Sequence, residues 1–149
     1  MSFLRWKSLV IAILMVTFIT GCASVPMASV EQDTQAKSFK VNSGKANIYV
    51  YRNENFGAAI KMPVVLDGKI VGDTAAMTYL LLEVDPGNHT VISKAENDSE
   101  VKLHAKPGKN YFVWQEVKMG LLYARTRLQK VSEAEGKSGV SECKLVKPM

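Results

Sequence analysis

The chain has 149 residues, 47% of them hydrophobic and 22% charged, with 19 basic and 14 acidic side chains for a net charge of +5. That length carries one domain with a modest core, and the composition excludes a disordered chain. The basic excess is spread along the sequence rather than gathered, which argues against nucleic acid as a partner.

Residues 1–21 open the chain as an export signal. Arg5 and Lys7 make a basic start, and Leu9 to Ile19 form an apolar run of 11 residues broken only by Thr17. The run is far shorter than the ~20 residues needed to cross a bilayer, and it has the length of a signal core. Ile19-Thr20-Gly21-Cys22 then ends it in small residues and a cysteine. This stretch resembles the bacterial lipobox. The resemblance implies cleavage before Cys22, a diacylglycerol on its thiol and acylation of the freed amine. Ala23 follows, not the Asp that resembles an inner-membrane retention signal, so the outer membrane is the expected address in a cell with two membranes. Cleavage would remove Arg5 and Lys7 and leave 128 residues with 17 basic and 14 acidic side chains, a net +3. With Cys22 acylated, Cys143 has no partner for an internal disulfide, and one thiol with two distant histidines supplies no ordinary zinc set. No metal or cofactor is expected.

From Ala23 to about Gly44 the sequence is small, polar and aperiodic. It reads as a flexible tether, residues 22–44 spanning roughly 25 Å, with Thr34 to Val41 the part most apt to pack as a first strand or helix. A domain over 45–149 follows, with strand patterns and turn signals alternating. Ala46 to Arg52 is β-branched and aromatic. Ile60 to Leu66 and Lys69 to Asp73 flank Asp67-Gly68, the chemistry of a type I′ hairpin. Thr78 to Val84 is a dense apolar run suited to a strand covered on both faces. Asp85-Pro86-Gly87-Asn88 reads as a type II turn with positive φ at Gly87. Thr90 to Ala95 and Val101 to Ala105 form the next pair; Val101, Leu103 and Ala105 face one way, and Lys102, His104 and Lys106 the other. Pro107-Gly108 makes a second glycine turn before Asn110 to Val117. Leu121 to Gln129 is read as another strand. Ser132-x-x-Glu135 opens a short helix as a capping box, ending by Gly136 or Gly139, and Val140 to Lys147 closes the chain as a strand. About eight short strands and one helix predict a mainly-β, antiparallel β-sandwich.

Four segments carry a resemblance: Ala46 to Arg52, Val65-Leu66-Asp67-Gly68-Lys69, Asp85 to His89 and Lys106 to Val113. Over roughly 45–145 they resemble a family of bacterial lipoprotein domains of unknown function that lie just behind a lipobox. The Leu-Asp-Gly and Pro-Gly turns also resemble PEGA-type modules, small Ig-like sandwiches. The resemblance implies a fold and a location, and it supplies no catalytic residues.

Few residues are placed for chemistry. His104 lies on the lysine face of its strand, His89 follows a turn where its ring caps or packs locally, and Asp67 and Asp85 are explained by their turns. Neither a hydrolase triad nor a paired-carboxylate site is marked. Cys143 reads as a small core residue. One face merits attention: alternation places Trp114 on a strand beside one carrying Tyr123, Arg125 and Arg127, and aromatics with arginine are enriched at binding surfaces. Plain packing of Trp114 in the core is the competing account. The sequence therefore predicts a non-enzymatic envelope lipoprotein, a binding or structural module held to the membrane through Cys22, with an envelope protein as possible partner. An enzyme inhibitor or an accessory subunit of a larger envelope complex is the alternative.

Overall fold

The computed structural model describes residues 22–147 and 149; the predicted signal segment 1–21 lies outside them. In chain order the described elements are α1 (Val30–Ala36), β1 (Ala46–Arg52), β2 (Met62–Leu66), β3 (Lys69–Thr74), β4 (Thr78–Val84), β5 (Gly87–Lys94), β6 (Asp98–Ala105), β7 (Asn110–Met119), β8 (Ala124–Val131), α2 (Glu133–Glu142) and β9 (Lys144–Leu145). The strands build two sheets, β8-β7-β1-β4-β9 and β3-β2-β5-β6. The fold is mainly β with a short C-terminal helix, as the turn spacing indicates. Two pairings depart from the antiparallel rule: β1 runs parallel to β7, with Asn47 beside Asn110, and β4 runs parallel to β9, with Thr78 beside Lys144. Parallel neighbours need a long crossover, so no local turn announces them.

β1 explains the layering. All seven of its residues are buried. Ile48 and Val50 point between the sheets, into a core with Val64, Leu80, Val91, Leu103, Val113 and Leu128. Tyr49 and Tyr51 point the other way, into a second cluster with Tyr79, Phe112, Val140 and Leu145 beneath the helices. The molecule is thus a sandwich backed on one sheet by a helical layer. Tyr49 and Phe112 stack there with ring centroids 5.1 Å apart.

Helix α2 corrects the expected C-terminus. Ser132 caps it, accepting the Glu135 amide, but the helix runs through both glycines to Glu142, and Val140 to Lys147 is not one strand. Gly136 lies flat on the Phe112 ring and Gly139 on Tyr51, where a Cβ would overlap the ring. Close approach of the helix to the sheet outweighs the ~1 kcal/mol helix penalty of each glycine.

The expected tether is also corrected. Ser29 and Gln32 form a full capping box that opens α1, Met27 bridges to Val146, and Val25 and Ala36 are buried. Asp33 fastens the segment: its carboxylate accepts Tyr79 Oη at 2.9 Å, the Leu145 amide at 2.9 Å and Lys37 Nζ at 2.8 Å. Burial pushes its pKa up, but these three donors prevail and hold it below the ordinary carboxylate value. Segment 22–44 is docked on the domain.

The turns fall mostly where chemistry asks. Asp67 and Gly68 both have positive φ, 49° and 83°, between paired Leu66 and Lys69. Gly108 has φ 75°. Gly87 has positive φ too, but at 138° it begins β5 opposite Ala105, so the type II assignment gives way to a bend at Pro86. Because strands alternate in direction, the loops divide between two ends. One end, here called near, carries Cys22 and the loops 53–61, 75–77, 95–97 and 120–123. The far end carries 67–68, 85–86 and 106–109.

Candidate functional site

The β7–β8 hairpin carries the face singled out by sequence. Trp114 pairs with Gln129, Glu116 with Arg127 and Lys118 with Arg125, so Trp114, Arg127 and Arg125 share the outer face in that order toward the near end. Trp114 is half-buried against the aromatic cluster under α2, with its indole nitrogen enclosed and unbonded. The two arginines are exposed. Glu116, next after Trp114 on that face and opposite Arg127, is held by Lys118 at 2.6 Å and by the Gln129 amide at 3.1 Å. Trp114 therefore belongs to packing, and Arg125 and Arg127 to the surface.

Tyr123 does not lie on a strand. β8 begins at Ala124, and Leu121 to Tyr123, read as strand from their β-propensity, form the hairpin tip instead. Glu96 explains the shape. Its carboxylate accepts the amides of Leu121 at 2.8 Å, Leu122 at 2.7 Å and Tyr123. The Leu121 amide, partly opposed by burial and joined by the Tyr123 and Leu122 amides and by Arg125, keeps the Glu96 pKa low. Gly120 makes room, since a Cβ there would stand 2.6 Å from the carboxylate. The amides face inward and the side chains outward: Leu121 is 90% exposed, Leu122 94% and Met119 79%. Leaving each leucine in water forgoes about 1.5–3 kcal/mol. That is costly display for a turn.

A second clasp shapes the neighbouring loop. Arg52, fully buried, donates to the carbonyls of Ile60 at 2.8 Å, Phe56 at 3.0 Å and Gly57 at 2.6 Å. Burial lowers its pKa, and nearby Glu54 opposes that. Glu54 in turn accepts the Val117 amide, tying the loop to β7. Ala58 of this loop accepts the Ala23 amide at 3.0 Å. Cys22, exposed, sits just before that bond. Sequence reasoning missed Arg52 and Glu96. A charge closing a strand as apolar as β1 was the available signal for Arg52; nothing local signals Glu96.

The remaining candidates are engaged structurally. His89 Nδ1 meets Asp67 Oδ2 at 2.6 Å, and Nε2 meets the Asp85 carbonyl at 2.7 Å. Burial pulls its pKa down, but the two acceptors prevail and raise it. With both nitrogens bonded, neither is free to take a proton from a nucleophile. His104 is exposed and meets Asn88 Oδ1 at 2.8 Å. Cys143 caps α2 as a buried thiol, as its apolar setting suggested, and burial pushes it up to about 12, far from thiolate chemistry. A buried polar chain, Thr74, Gln115, Ser93 and Thr126, links the two sheets, with Gln115 donating to Ser93 at 2.6 Å and Ser93 meeting Thr126 at 2.7 Å. Among the described residues no group of three His, Cys, Asp or Glu is placed to hold a metal ion, and no helix is long and apolar enough to cross a membrane.

A helix-backed β-sandwich with a docked N-terminal segment is thus the class of protein these residues define. Residues 29–126 match the family described as "Protein of unknown function (DUF2846)", and the chain belongs to that family. The match begins at the α1 cap, so it includes the docked helix. An "Uncharacterized protein" of Haemophilus influenzae is 34% identical over 126 residues, covering 83% of this chain and 75% of that one.

Proposed function

We propose that this protein is a cell-envelope lipoprotein: a β-sandwich module, without catalytic activity of its own, held to the membrane through an acylated Cys22. The order Arg5, Lys7, apolar run, Thr20-Gly21-Cys22 carries the reading, because charge, core length and small residues fall where signal processing and acylation require them. Its exposed position is compatible with a lipidated cysteine. The outer membrane is the proposed site, from Ala23 after the cysteine. The occupied nitrogens of His89 and the deeply buried Cys143 thiol favour a binding or structural role over an enzymatic one.

Expression of the full chain with labelled palmitate tests the anchor. Wild type is expected to incorporate label and fractionate with membranes, whereas Cys22→Ser should accumulate as unlabelled precursor. Full processing and membrane retention of Cys22→Ser would reject the lipoprotein assignment.

A further inference from the structure

Among the described residues, five of the nine exposed large apolar side chains gather in two adjoining loops at one end of the molecule; Met27, Val30, Ile70 and Met149 lie outside those loops. Met119, Leu121, Leu122 and Tyr123 occupy the β7–β8 tip, and Phe56, 52% exposed, occupies the β1–β2 loop. The two are joined at their base by the Glu54 bond to Val117. The same loop receives Ala23, so the described chain begins at this end, with Cys22 exposed. The anchor position and the apolar tip therefore share an end of the sandwich.

The chemistry of the tip suits lipid. Backbone amides entering an apolar layer must find partners within the protein, and Glu96 already satisfies those of Leu121, Leu122 and Tyr123. Two leucines at the apex, a tyrosine beside them and cations at the base form the order of an interfacial anchor. The cations are Lys118 and Arg125, directly opposed across the hairpin, with Lys118 also paired to Glu116 at 2.6 Å. Both are placed to meet anionic headgroups.

We propose that this tip is a second membrane contact: the domain rests on the lipid surface that holds Cys22, with Leu121 and Leu122 in the acyl boundary and Lys118 and Arg125 at headgroup level. The inference rests on the proposed acylation of Cys22. It adds an orientation, because a single point of attachment at Cys22 leaves the docked domain free to tilt, whereas two points fix which end faces the membrane. The far end, with Lys109 and the Asp67-Gly68 turn, then points away.

The test uses the full chain matured in bacteria, purified with its lipid and placed in vesicles of phosphatidylethanolamine and phosphatidylglycerol. Mass spectrometry first reads acylation at Cys22. Leu122→Cys supplies an exposed thiol for an environment-sensitive fluorophore, since Cys143 is buried; Lys109→Cys, also exposed, is the far-end control. The Leu122 label is expected to shift its emission to the blue and to lose most of it to nitroxide-bearing acyl chains, while the Lys109 label does neither. An acylated protein whose Leu122 label emits as in water overturns the contact and leaves the anchor standing. A label shielded yet unquenched by lipid nitroxides overturns it in favour of a second copy covering the tip. Absence of acyl chains at Cys22 overturns the contact together with the anchor.

Discussion

The two ends of the sandwich are built by different rules. At the far end, short loops close the chain by backbone conformation: Asp67 and Gly68 turn with positive φ, Gly108 does the same, and His89, 22 positions beyond Asp67, joins it to the Asp85 carbonyl from one ring. At the near end, charged side chains hold the loops from behind, Arg52 under 56–60 from a few residues before them and Glu96 under 121–123 from 25 or more positions away. The far-end turns are polar, with Ile70 exposed beside them, and the near end exposes leucines. A loop that only reverses the chain needs the first kind of support. A loop that must present apolar groups in a fixed shape needs the second.

The contrast predicts unequal damage. Arg52→Met, which leaves the carbonyls of Phe56, Gly57 and Ile60 without their buried donor, should cost about 3 kcal/mol in urea denaturation. Gly108→Val should cost only about 1 kcal/mol, the penalty of a β-branched residue at positive φ, since space for its Cβ is open. Equal losses in the two variants would erase the distinction between the ends.

A smaller effect separates them by pH. His89 has a raised folded pKa, so its contribution is complete below the ordinary histidine value of ~6.5 and disappears as pH rises through the folded value. Asp67 beside it and Glu96 at the other end have lowered values. Their contributions are present above the ordinary carboxylate values and disappear as pH falls through the folded ones. Raising pH from about 5 to about 9 should therefore shift the Asp67 and Thr90 amide resonances and leave those of Leu121 to Tyr123 in place. A shared titration of both sets would show that the ends are coupled.

The same division marks what the sequence disclosed. β4 is bounded at Thr78 and Val84, where Asp85-Pro86 stops it, and β6 shows the alternation of Val101, Leu103 and Ala105. These are local signals, and so is the Asp67-Gly68 turn. Ser29-x-x-Gln32 is as clear a cap as Ser132-x-x-Glu135, but seven mostly polar residues give α1 too little period to be seen. Gly136 and Gly139 looked like stops because their partners, Phe112 and Tyr51, are close only in the folded chain. Leu121 to Tyr123 looked like strand because Glu96 lies 25 residues or more before them. The proposed anchor at Cys22 rests on a local pattern; the apolar tip has none.

The place of β1 at the centre of its sheet has a kinetic consequence. It is the first strand among the described residues, yet one of its edges is filled by β4 and the other by β7, whose Asn110 pairs with Asn47 63 positions earlier. Long-range pairing of this kind slows folding, because loop closure precedes its reward. Until β7 is available, a run of Ile48, Tyr49, Val50 and Tyr51 waits with an open edge, the kind of segment that invites association between chains. Delivery to the folded state thus depends on how quickly the second half of the chain follows the first.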